Sequence, residues 1–234
     1  MRKIKAYAIT LKGNSISERG TNGLIHSSKT LGNTFDVLVF DAVTADQARM
    51  VLNGNGLKWK YPWQGQETCL KSGLIKSAYP TAHKNNRIAC AMSHWLLWHE
   101  CVKQDAPILI MEHDTMFTQK LDYEYIVESK FDIIGINSPA SATRRAHVFH
   151  DIVHKADKDI IPVPDVDEFN VPQGLAGNSA YIIKPAGAKN VLQASRDYGV
   201  WPNDALMCKQ LIPNMGVTKK YYTQVQGLPS TTSK

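Results

Sequence analysis

At 234 residues, 43% hydrophobic and 21% charged, the chain can bury one sizeable α/β core, and its composition excludes disordered, collagen-like and disulfide-framed classes. The formal charge of +6 invites a polyanionic partner. The basic residues are scattered from Arg2 to Lys234 without a block, which fits a phosphate-bearing small ligand at least as well as nucleic acid; the scatter makes nucleic acid the less expected partner, and none is expected here.

No apolar run approaches the ~18 residues of a membrane helix, and MRKIKAYAITLKGN lacks the apolar region and cleavage site of a signal peptide. A cytoplasmic protein without a transmembrane segment is expected. The elements then follow in order. IKAYAITL (4–11) reads as a strand, broken at Lys12-Gly13-Asn14. Ser15 or Ser17 can cap a helix with Glu18 in its first turn that runs toward Leu31 and stops at Gly32-Asn33. DVLVF (36–40) is a second strand, and Thr44 caps a helix ending at Asn53-Gly54. This β-α-β-α rhythm predicts a parallel, helix-covered sheet.

Between 55 and 86 the pattern dissolves into an aromatic loop with Trp59, Tyr61, Trp63 and Tyr79. The first three alternate like strand residues facing one way, suited either to stacking on a sugar or base or to anchoring the loop. A helix over 87–103 leads to APILIMEHDTMF (106–117), FDIIGIN (131–137) is another strand, and 138–172 reads as a mobile polar flap with a short strand near 160–163. His147, His150 and His154 in that flap are spaced for one helical face. NSAYIIK (178–184) is a late strand, Pro185 begins a helix through Leu192, and a short helix follows Pro202. One domain over 1–226 and a disordered tail over 227–234 are expected. Cys69, Cys90, Cys101 and Cys208 form no C-x-x-C pair and read as free buried thiols.

The stretch that raises a chemical question is ILIMEHD. A run apolar enough for burial on both faces ends in Glu112-His113-Asp114, at the edge where parallel sheets collect ligands. Alternation along an extended chain puts Glu112 and Asp114 on one side and His113 on the other. Two acids facing one point can hold a divalent cation and, through it, a phosphate. The bland alternative is a pair of acids capping the next turn.

Several stretches, in order, resemble glycosyltransferase family 25, the lipopolysaccharide-type galactosyltransferases. They are ITLKGN with Ser17-Glu18-Arg19, the FDAVT turn, Cys90-Ala91-Met92-Ser93-His94 where the family has Gly-Cys-x-x-Ser-His, ILIMEHD where it has Glu-Asp-Asp, the strand at Gly177 to Ile183, and the segment holding Asp204. The resemblance implies a GT-A-like α/β fold, a UDP-sugar donor such as UDP-galactose, a glycan or other hydroxyl acceptor, a divalent metal such as Mn2+, and inversion at the anomeric carbon. Asp114 is the first choice for direct metal ligation, with Glu112 a second ligand or the ribose and water partner, and by family position Asp204 is the candidate base. Donor recognition is expected at the carboxyl ends of the first two strands, at Thr10, Leu11, Asp41 and Ala42, with Arg19 available to a phosphate, while Ser93 and His94 face either the donor or the core. His113 replaces the family's middle acid, and either points elsewhere or becomes a nitrogen ligand. From the residues alone, Asp204 also serves as a helix-start acid after Pro202, Arg19 as a solvated helix residue and His94 as a satisfied core histidine. A metal-dependent phosphohydrolase and a binding module without turnover are the rival readings.

Overall fold

The computed structural model describes residues 4–142, 145–229 and 231. The first half of the chain alternates β1 (Lys5–Thr10), α1 (Ser15–Thr30), β2 (Val37–Asp41) and α2 (Ala45–Gly54). Asn14, one residue before the serines expected to cap α1, takes that role: its side chain accepts from the amides of Ile16 and Ser17. The Ser17 hydroxyl is turned back to the Leu11 amide instead, at 2.9 Å. Thr44 caps α2 as expected, closing a capping box with Gln47.

The aromatic stretch holds a small hairpin, β3 (Gln66–Thr68) and β4 (Ile75–Ser77), before the long helix α3 (Lys84–Gln104). β5 (Ile108–Glu112), β6 (Thr115–Phe117), α4 (Tyr123–Glu128) and β7 (Ile133–Gly135) follow. The polar excursion contains α5 (Ala146–Lys155) and β8 (Ile160–Pro162). The chain then runs through β9 (Ala180–Ile183), α6 (Pro185–Asp197), α7 (Asn203–Leu206), β10 (Met215–Thr218) and β11 (Thr223–Val225).

Seven strands form the central sheet in the order β2-β1-β5-β9-β7-β10-β8. β2, β1 and β5 are parallel to one another, as are β7 and β10. β9 runs antiparallel to both neighbours and β8 antiparallel to β10. Five strands therefore share one direction, so the sheet is mostly parallel as expected, with β9 and β8 reversed. Apolar runs such as AYII and ILIM mark burial on both faces but carry no polarity.

Helices cover both faces. Ala6, Ala8, Leu109, Met111, Ala180 and Ile182 pack with Leu24 of α1 and Ile126 of α4. Their alternates Ile9, Ile108, Ile110, Tyr181 and Ile183 pack with α2, α3, α5 and α6. This mixed α/β sandwich, a mostly parallel sheet flanked by helices, is the fold class read from the sequence. α5 corrects the expected mobile flap: Phe149 and Val153 anchor it in the core, and His150 stacks on His154 at 5.6 Å. Trp59 stacks on Trp63 at 4.9 Å, while Tyr61 packs on Tyr79 and Trp201, so these aromatics anchor their loop. Of the tail, 227–229 and 231 are placed, with Leu228 half-buried beside Gly20 of α1; 230 and 232–234 lie outside the described residues. All four cysteines are free.

Candidate active site

The carboxyl ends of β1, β2 and β5 open onto a cavity of ≈ 390 Å³ against the flank of α3. Of the residues singled out in the sequence, Leu11, Ala42, Ser93, His94, Glu112, His113 and Asp114 line it. Four others do not: Asp204 lies beyond it, and Thr10, Arg19 and Asp41 are held elsewhere. Thr10 is buried, and its hydroxyl is engaged with Thr21 Oγ1 at 2.7 Å and Ala8 O at 3.1 Å. Its carbonyl accepts from the Ala42 amide at 2.9 Å, so it ties the two strand ends together. Arg19 is exposed on α1 and Asp41 is exposed on the outermost strand, where side chains of β2 meet solvent.

The acidic end of β5 departs from simple alternation. β5 stops at Glu112, and His113-Asp114 form a turn into β6, so all three side chains reach the same cavity. Backbone contacts hold that turn. The Gln226 amide N–H donates to Asp114 O at 2.6 Å, and its side-chain Nε2 donates to Gly20 O and Thr115 O, each at 2.8 Å. Gly20 lies so close that a Cβ there would sit 2.6 Å from His113 O.

Asp114 is the least satisfied group in the cavity. Its Oδ1 is buried and has no hydrogen-bond partner among the described residues. Burial, and then the neighbouring Glu112 carboxylate, push its pKa up to about 7. A buried carboxylate oxygen without a donor costs free energy until something positive meets it. Paired with Glu112 it makes an all-oxygen donor set, the chemistry of a hard divalent cation such as Mg2+ or Mn2+. His113 is half-buried, and burial lowers its pKa, opposed by Glu112, so the ring is neutral near pH 7.

Glu112 is steered from behind. The Trp98 indole N–H, which can only donate, reaches Tyr181 Oη at 2.9 Å. The Tyr181 hydroxyl is then free to donate to His94 Nδ1, 2.8 Å away. That assignment leaves the proton on Nε2, which donates to Glu112 Oε1 at 3.3 Å. His94 is 1% exposed and so joins the core reading to the functional one. Ser93 is structural: its Oγ accepts from the Val43 amide at 2.9 Å and donates to Ala89 O at 2.8 Å. Cys90, His94 and Glu112 also bring ligand atoms within 4.8 Å of one another. Both His94 nitrogens are already hydrogen-bonded, and burial holds the Cys90 thiol protonated, its pKa well above the usual thiol range.

Asp204 sits at the start of the four-residue α7 and lines two further cavities of ≈ 190 Å³ each. The first also carries Cys90 and Glu112, shared with the larger cavity. The second is lined by Tyr61, Tyr79 and Phe149. Burial raises the Asp204 pKa, with the Arg87 charge opposing it, Glu112 adding to it and a Tyr79 hydrogen bond opposing it. Three cavities thus run in series along one rim, with Glu112 at the first junction and Asp204 at the second. Sequence reasoning named Cys90 only within a family-like motif and Tyr79 only as a loop aromatic, and it missed Arg87, Asn178, Tyr181 and Gln226 as lining or supporting residues; the Ala180-Tyr181 pair stood inside the matching strand, whereas nothing in the sequence marks Gln226.

The chain matches "Glycosyltransferase family 25 (LPS biosynthesis protein)" over residues 17–207, and it belongs to that family. No curated protein matches it. Among solved structures it is similar to mouse xyloside xylosyltransferase 1 in its apo form, at 12% identity over 88% of this chain and 80% of that one, with a TM-score of 0.42. It is also similar to the apo WbbM bifunctional glycosyltransferase, at 8% identity over 91% of this chain and 38% of that one, with a TM-score of 0.45. No helix among the described residues is long and apolar enough to cross a membrane.

Proposed function

We propose that the protein is an inverting hexosyltransferase that moves a sugar, galactose in the first instance, from a UDP-sugar to a hydroxyl of a glycan acceptor. The observation that carries this reading is the series of three cavities with an unpartnered Asp114 oxygen in the first and Asp204 between the second and third. Asp114 and Glu112 would hold a divalent cation, Mn2+ in this reading. Bound there, it would neutralise charge gathering on a departing diphosphate.

The chain's own groups do the rest. The ≈ 390 Å³ cavity receives the nucleoside diphosphate, with Glu112 and Asp114 on its wall. Asp204, on the far side of the first junction, accepts the proton of the acceptor hydroxyl as its oxygen bonds to the anomeric carbon. The bond to the diphosphate oxygen breaks on the opposite face, which inverts the centre. The raised pKa of Asp204 makes it a stronger base once ionised. The third cavity, lined by Tyr61, Tyr79 and Phe149, receives the acceptor sugar.

A thermal-shift screen of nucleotide sugars, with and without Mn2+, tests the class: a UDP-sugar stabilises the protein in a metal-dependent way. Indifference to every donor would overturn the reading. Turnover that ignores any added acceptor would favour a phosphohydrolase.

A further inference from the structure

The middle cavity contains a side chain that the proposed chemistry has not used. Asn178 is 8% exposed, and neither its Nδ2 nor its Oδ1 has a partner among the described residues. It lines the ≈ 190 Å³ cavity together with Glu112, Asp204 and Arg87. The position is built. Gly177 adopts φ +74°, and a Cβ there would sit 2.7 Å from Ser138 O, so the turn before β9 is pressed against the end of β7 and Asn178 has little freedom to swing away. Because β9 runs against its neighbours, the start of that strand arrives at the same rim as the ends of β1 and β5.

A primary amide offers two N–H donors and one acceptor. Buried and unpaired, it is costly for the fold, and the ligand that satisfies it must itself both accept and donate. Ring hydroxyls do so; phosphate oxygens, which only accept, do not. The cavity has half the volume of its larger neighbour, room for one sugar ring rather than a nucleotide. It lies between the junction at Glu112 and the one at Asp204. Two carboxylates against one guanidinium on its wall disfavour an acidic ring.

We propose that the middle cavity seats the transferred sugar as a neutral hexopyranose and that the Asn178 amide reads its ring hydroxyls. The assignment rests on the function proposed above and adds to it the residue that sets sugar selectivity. One hydroxyl donates to Oδ1, and a neighbouring one accepts from Nδ2. Removing the amide takes away one or two neutral hydrogen bonds to the sugar while leaving the nucleotide end untouched.

The test compares wild type, Asn178→Ala and Asn178→Leu, with Mn2+ present. Calorimetry measures binding of UDP, and kinetics measure turnover of UDP-galactose, UDP-glucose, their deoxy analogues and UDP-glucuronate. Both variants should keep UDP affinity within about twofold and lose on the order of 10- to 100-fold in kcat/KM for the preferred hexose donor. Their preference for the parent sugar over a deoxy analogue should collapse, and UDP-glucuronate should be a poor donor for wild type. Asn178→Leu, which replaces an unpaired amide with an apolar group of similar size, should hold or raise the Tm of the ligand-free protein. A lower Tm would mean the amide serves the fold and would overturn the assignment. Unchanged sugar discrimination in variants that still turn over donor would overturn it alone. Wild type that binds neither UDP nor any UDP-hexose would overturn both it and the proposed function.

Discussion

Replacing Gly20 by Ala tests whether the turn carrying Asp114 is held by backbone contact with α1. The new methyl would stand 2.6 Å from His113 O and 2.8 Å from Leu228 Cδ1. Leu228 can rotate, but the carbonyl belongs to a turn fixed on its other side by Gln226. Relief therefore requires the helix and the turn to part by several tenths of an ångström. Overpacking of this kind costs about 1–3 kcal/mol, offset by about 1 kcal/mol of helix propensity gained on replacing glycine. The net loss is about 0–2 kcal/mol, a Tm decrease of up to about 8 °C for a chain of this size. Displacing Asp114 should cost more in function than in stability, on the order of 10²-fold in kcat/KM. Gly54→Ala is the control, since nothing lies within 4 Å of its Cβ; it should be neutral or stabilising by about 0.5–1 kcal/mol. Thermal unfolding and donor turnover are measured on all three proteins. If Gly20→Ala gains stability as Gly54→Ala does and keeps full activity, the turn is not braced by this contact.

The remaining predictions concern the acids and their support. Asp114 has a folded pKa raised from 3.8 to about 7, so the folded state binds a proton that the unfolded chain has released. Wild-type stability should therefore fall as pH rises from about 4 to 7 and level off above, and Asp114→Asn should flatten that slope in metal-free buffer and abolish stabilisation by Mn2+; an unchanged slope would contradict the raised pKa. Asp204→Asn should retain UDP binding and lose about 10²–10⁴-fold in kcat, and the wild-type kcat/KM should decline on the acid side at a midpoint above the usual carboxylate range. His94→Phe leaves the Tyr181 hydroxyl without its acceptor and Glu112 without its donor, so it should cost about 1–3 kcal/mol in stability and weaken Mn2+ binding about 10–100-fold; unchanged Mn2+ affinity in a folded His94→Phe protein would remove His94 from the site.

Much of the framework was legible because hydrophobic periodicity and capping are local signals. The Asn14 and Thr44 turns, the strand at Ile108 to Glu112 and the helix after Pro185 all follow from residues within a few positions of one another. β10 and β11 escaped notice, being short segments whose status as strands depends on partners distant in sequence. The site was half-legible for the same reason. Glu112 and Asp114 announced themselves by following a buried strand, but the argument from alternation failed because the strand stops at Glu112. Whether Thr10 faces the cavity or Thr21 is decided by packing against α1, which no local pattern encodes. Asn178 looked like an ordinary turn residue, because an amide's lack of partners is a property of the folded neighbourhood.

The reversed strand at the centre of the sheet has a consequence for how the chain reaches this structure. β9 joins two halves that have no direct hydrogen bonds to each other, and its side chains divide strictly between the two helical layers. A slip of one residue would carry the Tyr181 hydroxyl to the opposite layer, away from His94 and Trp98. A misregistered β9 therefore forfeits a buried polar triad along with its packing, so the same hydrogen bonds that steer Glu112 also specify the register of the central strand.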